Sequence, residues 1–139
     1  VELWEENEQK KEYLKSYGRA KRREKRILDE IQRLRMDEMF PSVISDDMPH
    51  GTKVSDLSDY IVRVETQIEK LKAERLEKIK IYQDIEDRIK AMDNDNEQEV
   101  LRLRYILNLS WEEVAVVMGI TWRHTMRMHS RALKNLNMS

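Results

Sequence analysis

Cysteine is absent from the 139 residues, which excludes a disulfide framework, a cysteine zinc site and a thiol nucleophile. Three glycines and two prolines leave too few turn positions for an all-β sandwich or barrel. Long apolar runs are also missing. The longest, Val114 to Ile120, has seven residues, far short of a membrane span, and no membrane partner is expected. The first residues, Val1-Glu2-Leu3-Trp4-Glu5-Glu6, carry neither the basic nor the apolar segment of a signal peptide. A chain beginning at Val1 reads as trimmed, and a soluble cytoplasmic protein is expected. There is no excess of one charge either, since 26 Lys+Arg stand against 27 Asp+Glu, for a net charge of -1. A polyanion partner must therefore be argued from where the charges lie.

The parts of an enzyme are lacking too. No glycine-rich phosphate loop, no carboxylate pair on an apolar background and no nucleophile beside a base occurs, so neither catalysis nor a cofactor is expected. His124 and His129 are five residues apart, about 140° round a helix, and do not converge on a metal. His50 lies in a distant loop, so no metal site is predicted.

What remains is charge, at 38% of the chain, and helical periodicity. The fold class is all-α. From Leu3 to Phe40 only Gly18 opposes a helix, and Tyr13, Tyr17, Ala20, Ile27, Ile31 and Leu34 recur at steps of three and four, with Glu24 in one slot. Phe40-Pro41 ends the run, because the residue before proline is pushed out of the helical region. Ser42 to Lys53 holds both prolines and Gly51 and reads as a loop. A second helix restarts near Ser55, with Asp56 and Asp59 at its positive end. Its seam reads Leu57, Ile61, Val64, Ile68 and Leu71, then Leu76, Ile79, Tyr82, Ile85 or Glu86, Ile89 and Met92. The five-residue step from Leu71 to Leu76 predicts a stutter. Two such helices, each about 50 Å long, should fold back as a coiled-coil-like antiparallel hairpin over residues 1–92, with its loop at about 41–54. So thin a core favours a second copy, and a homo-oligomer, with a dimer first, is expected.

Residues 93–139 follow a shorter pattern. Asp93-Asn94-Asp95-Asn96 breaks the second helix, and a helix from about Asn96 to Leu107 carries Val100, Leu101, Leu103, Tyr105 and Ile106. Ser110-Trp111-Glu112-Glu113 is a capping box, Gly119 is a left-handed stop, and Thr121 caps a last helix running to about Leu136. Helix, sharp turn and capped helix make a helix-turn-helix. Its core should be Val114, Val117 and Met118 on the first helix, and Ile120, Thr125, Met128, Ala132, Leu133 and Leu136 on the second. Trp111 is assigned to the core. The exposed face of the last helix would hold Trp122, Arg123, Met126, Arg127, Ser130 and Arg131. From Ile120 to Ser139 there are four Lys or Arg and no Asp or Glu, the most informative local imbalance in the chain.

The strings Val100-Leu101-Arg102-Leu103-Arg104-Tyr105, Leu109-Ser110-Trp111-Glu112-Glu113-Val114-Ala115, Met118-Gly119-Ile120-Thr121 and Arg131-Ala132-Leu133-Lys134-Asn135-Leu136 resemble sigma-70 region 4. The whole chain, with Asp47-Met48-Pro49 and Gly51 in its loop, resembles phage and prophage regulators of the ArpU and RinA type. The resemblance implies sequence-specific binding of double-stranded DNA in transcription control, with the helix over residues 121–136 in the major groove. Trp122, Arg123, His124 and Arg127 fall where region 4 presents base-reading side chains, Thr121 falls where a phosphate is held, and Arg131 continues the same face. Trp122 departs from the small or charged residue common at its position. It could stack on the partner, press on a thymine methyl or cover the edge of its own core. Arg123 and Arg127 could read bases or contact phosphates.

A second basic patch spans Arg19 to Arg26, with Arg19, Arg22, Arg23 and Arg26 among its cations. Folding the hairpin about Asp47 sets residue 20 opposite about residue 75, in a neighbourhood that is also basic. Such a band is either a solvated face or a surface for acid on another chain or the DNA backbone. Two other functions use the same parts. One is a small terminase-like DNA-packaging subunit forming a ring, and the other is an adaptor that contacts RNA polymerase without touching DNA.

Overall fold

A computed structural model describes residues 3–39 and 53–139, and all of the regular structure among them is helical. The expected helix end at Phe40-Pro41, the Asp47-Met48-Pro49 stretch and His50 lie outside the described residues. Helix α1 spans Leu3–Met39 and α2 spans Lys53–Lys90, starting two residues before the expected Ser55. Three shorter helices follow, α3 (Asp95–Leu101), α4 (Trp111–Met118) and α5 (Trp122–Asn135). No described helix is long and apolar enough to cross a membrane.

The chain divides into two compact units. The first joins the described residues up to Ala20 with Lys78–Ser139. Its core is Leu14, Ile85, Ile89, Met92, Leu101, Tyr105, Ala132, Leu133 and Leu136, so the base of α1 and the end of α2 share one apolar interior with α3 and α5. The Met92–Asp93 junction lies within this unit. Polar contacts tie the same elements. Lys10 Nζ donates to the Leu133 carbonyl at 2.7 Å and the Lys134 carbonyl at 3.3 Å, placing a cation on the last carbonyls at the negative end of α5. Arg88 donates to the Asn137 carbonyl at 3.0 Å and to Asp84 at 3.2 Å, and its guanidinium sits over the Tyr13 ring at 5.5 Å. The Tyr13 hydroxyl donates to Asp84. That bond, with help from Arg88, holds the Asp84 carboxyl below its ordinary range, while burial and Asp84 push the Tyr13 phenol up.

The second unit, Lys21–Glu77, pairs the remaining parts of α1 and α2. Its cross-helix ties are Arg23 to Glu74 at 3.1 Å and Arg75 to Glu24 at 3.4 Å. These ties correct the expected pairing. With 23 beside 74 and 24 beside 75, the antiparallel register sets residue 20 near 78 rather than 75, and opposite charges meet across the seam where like charges were expected.

The α2 seam is corrected as well. Leu76 and Ile79 are each 55% exposed, and the inward line passes instead through Leu71, Glu74 and Lys78 to Tyr82, Ile85, Ile89 and Met92. Steps of three and four therefore continue without a stutter. Glu74 and Lys78 keep their place because Glu74 has Arg23 to pair with and Lys78 is likewise engaged. At the N-terminal end of α2, Leu57 and Ile61, both expected in the seam, are also exposed.

Helix α3 begins at Asp95, one residue before the expected start. Asn94 is its cap, accepting from the Glu97 amide at 3.0 Å. It does not continue as an α-helix to Leu107. Arg102–Ile106 form a π-helical turn, with the Leu107 amide bonded to the Arg102 carbonyl five residues back at 3.0 Å. The wider turn buries Leu103 and Tyr105 while Arg102 reaches Glu86, giving it two bonds of 3.0 and 2.8 Å. Asn108, at φ 58, then reverses the chain toward α4. A short polar side chain tolerates that conformation where most residues do not.

Candidate nucleic-acid interface

A reciprocal capping box, a glycine and a threonine cap set the ends of α4 and the start of α5. Ser110 Oγ accepts from the Glu113 amide at 3.2 Å, and Glu113 Oε1 accepts from the Ser110 amide at 3.1 Å, the expected capping box. At the other end of α4, Gly119 adopts φ 68, its amide bonded to the Val116 carbonyl and the Ile120 amide to the Ala115 carbonyl, each at 3.1 Å. This is a Schellman stop, which needs a left-handed residue. A Cβ at Gly119 would meet nothing within 4 Å, so the need for glycine is conformational rather than steric. Gly119→Ala should accordingly cost about 1–2 kcal/mol, read as a lower midpoint in urea. An unchanged midpoint would show that the turn relaxes without penalty.

Thr121 then caps α5, its Oγ1 accepting from the His124 amide at 3.1 Å. On the inner side of α5 lie Thr125, Met128, His129, Ala132 and Leu133, all buried, with Leu136 just beyond its end. On α4, Val114 and Ala115 are buried, but Val117 is 59% exposed and does not join the core expected of it. An eight-residue helix packed along one line has room for Val114 and Ala115 facing α5, and Val117 falls outside that line.

Below the turn, His129 is 3% exposed and shares a 2.8 Å hydrogen bond with the Tyr105 hydroxyl. Trp111 meets the His129 ring edge-on at 4.5 Å between centroids, and the Arg104 guanidinium lies 4.7 Å from the Trp111 ring centre. Trp111, expected in the core, is thus half-buried support at its edge rather than one of its buried residues. Burial, with the positive charges of Lys11 and Arg104, lowers the His129 pKa to about 4, so the ring is neutral near pH 7. Burial also pushes the Tyr105 phenol up. In the sequence Tyr105 and Trp111 stand out as apolar residues, but His129 is not assigned to the core beside them. A signal for it exists, because Thr125, His129, Ala132 and Leu136 step by four, three and four along the inward face.

The outer face of α5 brings the expected residues together. Trp122, at 54%, is exposed, as are Thr121, Arg123, His124, Arg127, Ser130 and Arg131, with Met126 half-buried. His124, Arg127, Ser130 and Arg131 line one open depression. Arg123, Arg127 and Arg131 repeat every four residues and form one stripe about 12 Å long. None of the three has a hydrogen-bond or ion-pair partner among the described residues. Arginines earlier in the same unit are occupied instead, Arg102 by Glu86 and Gln98 and Arg104 by the Leu109 carbonyl at 2.8 Å. His124 faces outward and His129 inward, and among the described residues no cluster of three potential metal ligands occurs.

The second basic patch divides in the same way. Arg19 bonds Glu12 at 3.2 Å and Arg23 bonds Glu74 at 3.1 Å, whereas Arg22 and Arg26 are exposed with no partner among the described residues.

Residues 94–137 match the family model described as Sigma-70, region 4, which covers about a third of the chain. No curated protein and no solved structure matches the chain. The capped α4–turn–α5 and the π-terminated α3 fall within the matched residues, so the C-terminal part of this chain is a helix-turn-helix similar to sigma-70 region 4, a family of DNA-binding modules.

Proposed function

We propose that the protein is a sequence-specific transcriptional regulator of the phage and prophage type, akin to ArpU and RinA, that reads the major groove with α5. One observation carries this reading. Three exposed arginines without protein partners stand in a row on a helix whose last turn and tail contain no carboxylate, next to the turn that orients a region 4 recognition helix. Such a stripe repels cations, whereas phosphates and guanine edges satisfy it. The unpaired first amides of α5 and the Thr121 hydroxyl, which still has its own proton to donate, suit a backbone phosphate.

A single helix-turn-helix makes few phosphate contacts, so tight specific binding needs two of them on half-sites about 34 Å apart. Pairing through the N-terminal helices would supply that second unit, and contact with RNA polymerase would follow at the promoter.

The test is retention of a fragmented-genome DNA pool at low and high salt, with the mass of the free protein measured by light scattering. A dimer that holds many fragments at low salt and a selected subset at high salt is expected. A ring of eight or more subunits would replace regulation by DNA packaging. If no fragment is held at either salt, DNA binding is wrong and α5 is a protein-docking surface.

A further inference from the structure

Within the unit Lys21–Glu77, two neighbouring depressions share Leu34 and Arg63 and so make one groove along the flank of α1 and α2. One end is walled by Asp37, Glu38, Asp56 and Asp59, with Tyr60 beside Leu34. The other end is lined by Val62, 58% exposed, with Thr66, Gln67 and Glu30, whose carboxylate is paired with Arg33 at 2.8 Å. The four carboxylates have no ion-pair partner among the described residues, and Arg63 is the only cation in either lining. Leu34, Tyr60 and Val62 therefore give the groove its apolar part, and the carboxylates left without a cation gather at one end.

The same unit carries the complement. Arg22 and Arg26, one turn apart on α1, are exposed and have no partner among the described residues. They precede Glu38 by 16 and 12 residues, or about 24 and 18 Å along the helix. A second α1 laid antiparallel and centred near residue 30 brings Arg22 opposite Glu38 and Arg26 opposite Leu34, and a two-fold axis repeats both contacts at the other end. Self-complementarity under a two-fold axis is what an isologous interface requires.

We infer that this groove seats α1 of a second copy of the chain, with the Arg22–Arg26 turn of each copy against Asp37, Glu38, Asp56 and Asp59 of the other. The inference deepens the pairing of helix-turn-helix units proposed above and rests on that pairing, while its test needs no DNA. Opposite charges at both ends fix the antiparallel register, and the parallel arrangement is rejected because it would stack arginine on arginine and carboxylate on carboxylate.

Light scattering and sedimentation of the full chain without DNA decide it. The wild type is expected to be a dimer that dissociates as salt rises. Arg22→Glu with Arg26→Glu, and separately Asp37→Lys with Glu38→Lys, should each weaken the dimer by roughly 100-fold or more, since like charges then meet at both ends. Mixing the two variants in equal amounts should restore a dimer, because each then offers what the other lacks. That recovery also shows that neither variant is simply unfolded. A monomeric wild type, dimeric single variants or a mixture that stays monomeric would overturn the inference. So would an Arg22→Glu, Arg26→Glu chain that keeps its mass but loses DNA retention, which would assign the patch to the DNA backbone. DNA retention by a monomeric wild type would refute the groove while leaving the α5 reading intact.

Discussion

Alanine at both Arg123 and Arg127 is expected to weaken DNA binding by roughly 30-fold or more while leaving the melting temperature where it was. Each side chain that grips a guanine bidentately contributes about 1–3 kcal/mol, and two of them together exceed one order of magnitude in affinity. The fold should not notice, because neither arginine has a partner among the described residues and both lie on the outer face of α5. Exposed positions of that kind change stability by about 0.5 kcal/mol at most. Titration of a selected fragment at several salt concentrations separates the roles. Removing an arginine from a phosphate lowers the salt slope by about 0.9 and weakens all sequences alike, whereas removing one from a base edge relaxes the preference at one position. Arg102→Ala is the contrasting control. It strips Glu86, 8% exposed, of its cation and should lower stability. If the Arg123, Arg127 double variant holds DNA as well as the wild type, α5 is not the reading helix.

The contrast between these arginines explains how much of the molecule is legible in its sequence. Ser110, Glu113, Gly119 and Thr121 act within one or two turns of chain, and local chemistry of that range depends little on the rest of the fold. Their roles are readable, as is the acid-free face of α5, since absence of carboxylate is a property of composition. The long helices are readable in extent but not in seam. Glu74 can sit in a seam only because Arg23 is opposite, a fact about the partner helix that periodicity on α2 does not contain. Leu76 and Ile79 look like seam residues for the same reason, because apolar character alone does not say which of two neighbouring stripes a partner covers. Leu14 is fully buried yet lies off the expected α1 seam, since its burial comes from contact with the end of α2 and with α5, far away in sequence. The π-helical turn at Arg102–Ile106 has a similar origin. The reach of Arg102 to Glu86 and the burial of Leu103 and Tyr105 together select it over a regular helix.

Acid should loosen the helix-turn-helix through His129 before it does so through most other groups. The unfolded chain takes up a proton on this ring near pH 6.5, whereas the folded chain does so only near 4, because burial and the charges of Lys11 and Arg104 oppose the cation. Between those values the unfolded state holds more protons, so stability falls as pH falls through the window and is untouched above it. At 1.36 kcal/mol per pKa unit, the loss attributable to His129 reaches roughly 3 kcal/mol by pH 4. His129→Gln keeps a polar partner for the Tyr105 hydroxyl but cannot titrate. Urea midpoints of the wild type and this variant, measured at pH 7.5, 5.5 and 4.5, should therefore show the wild type falling more steeply as pH falls, whatever their offset at pH 7.5. Carboxylate protonation acts on both proteins alike and cancels in the difference. Parallel curves would mean that the folded ring takes up its proton as readily as the unfolded one, with water reaching it beside Trp111. The neutral interior under α5 would then be an incorrect account of what holds the reading helix in place.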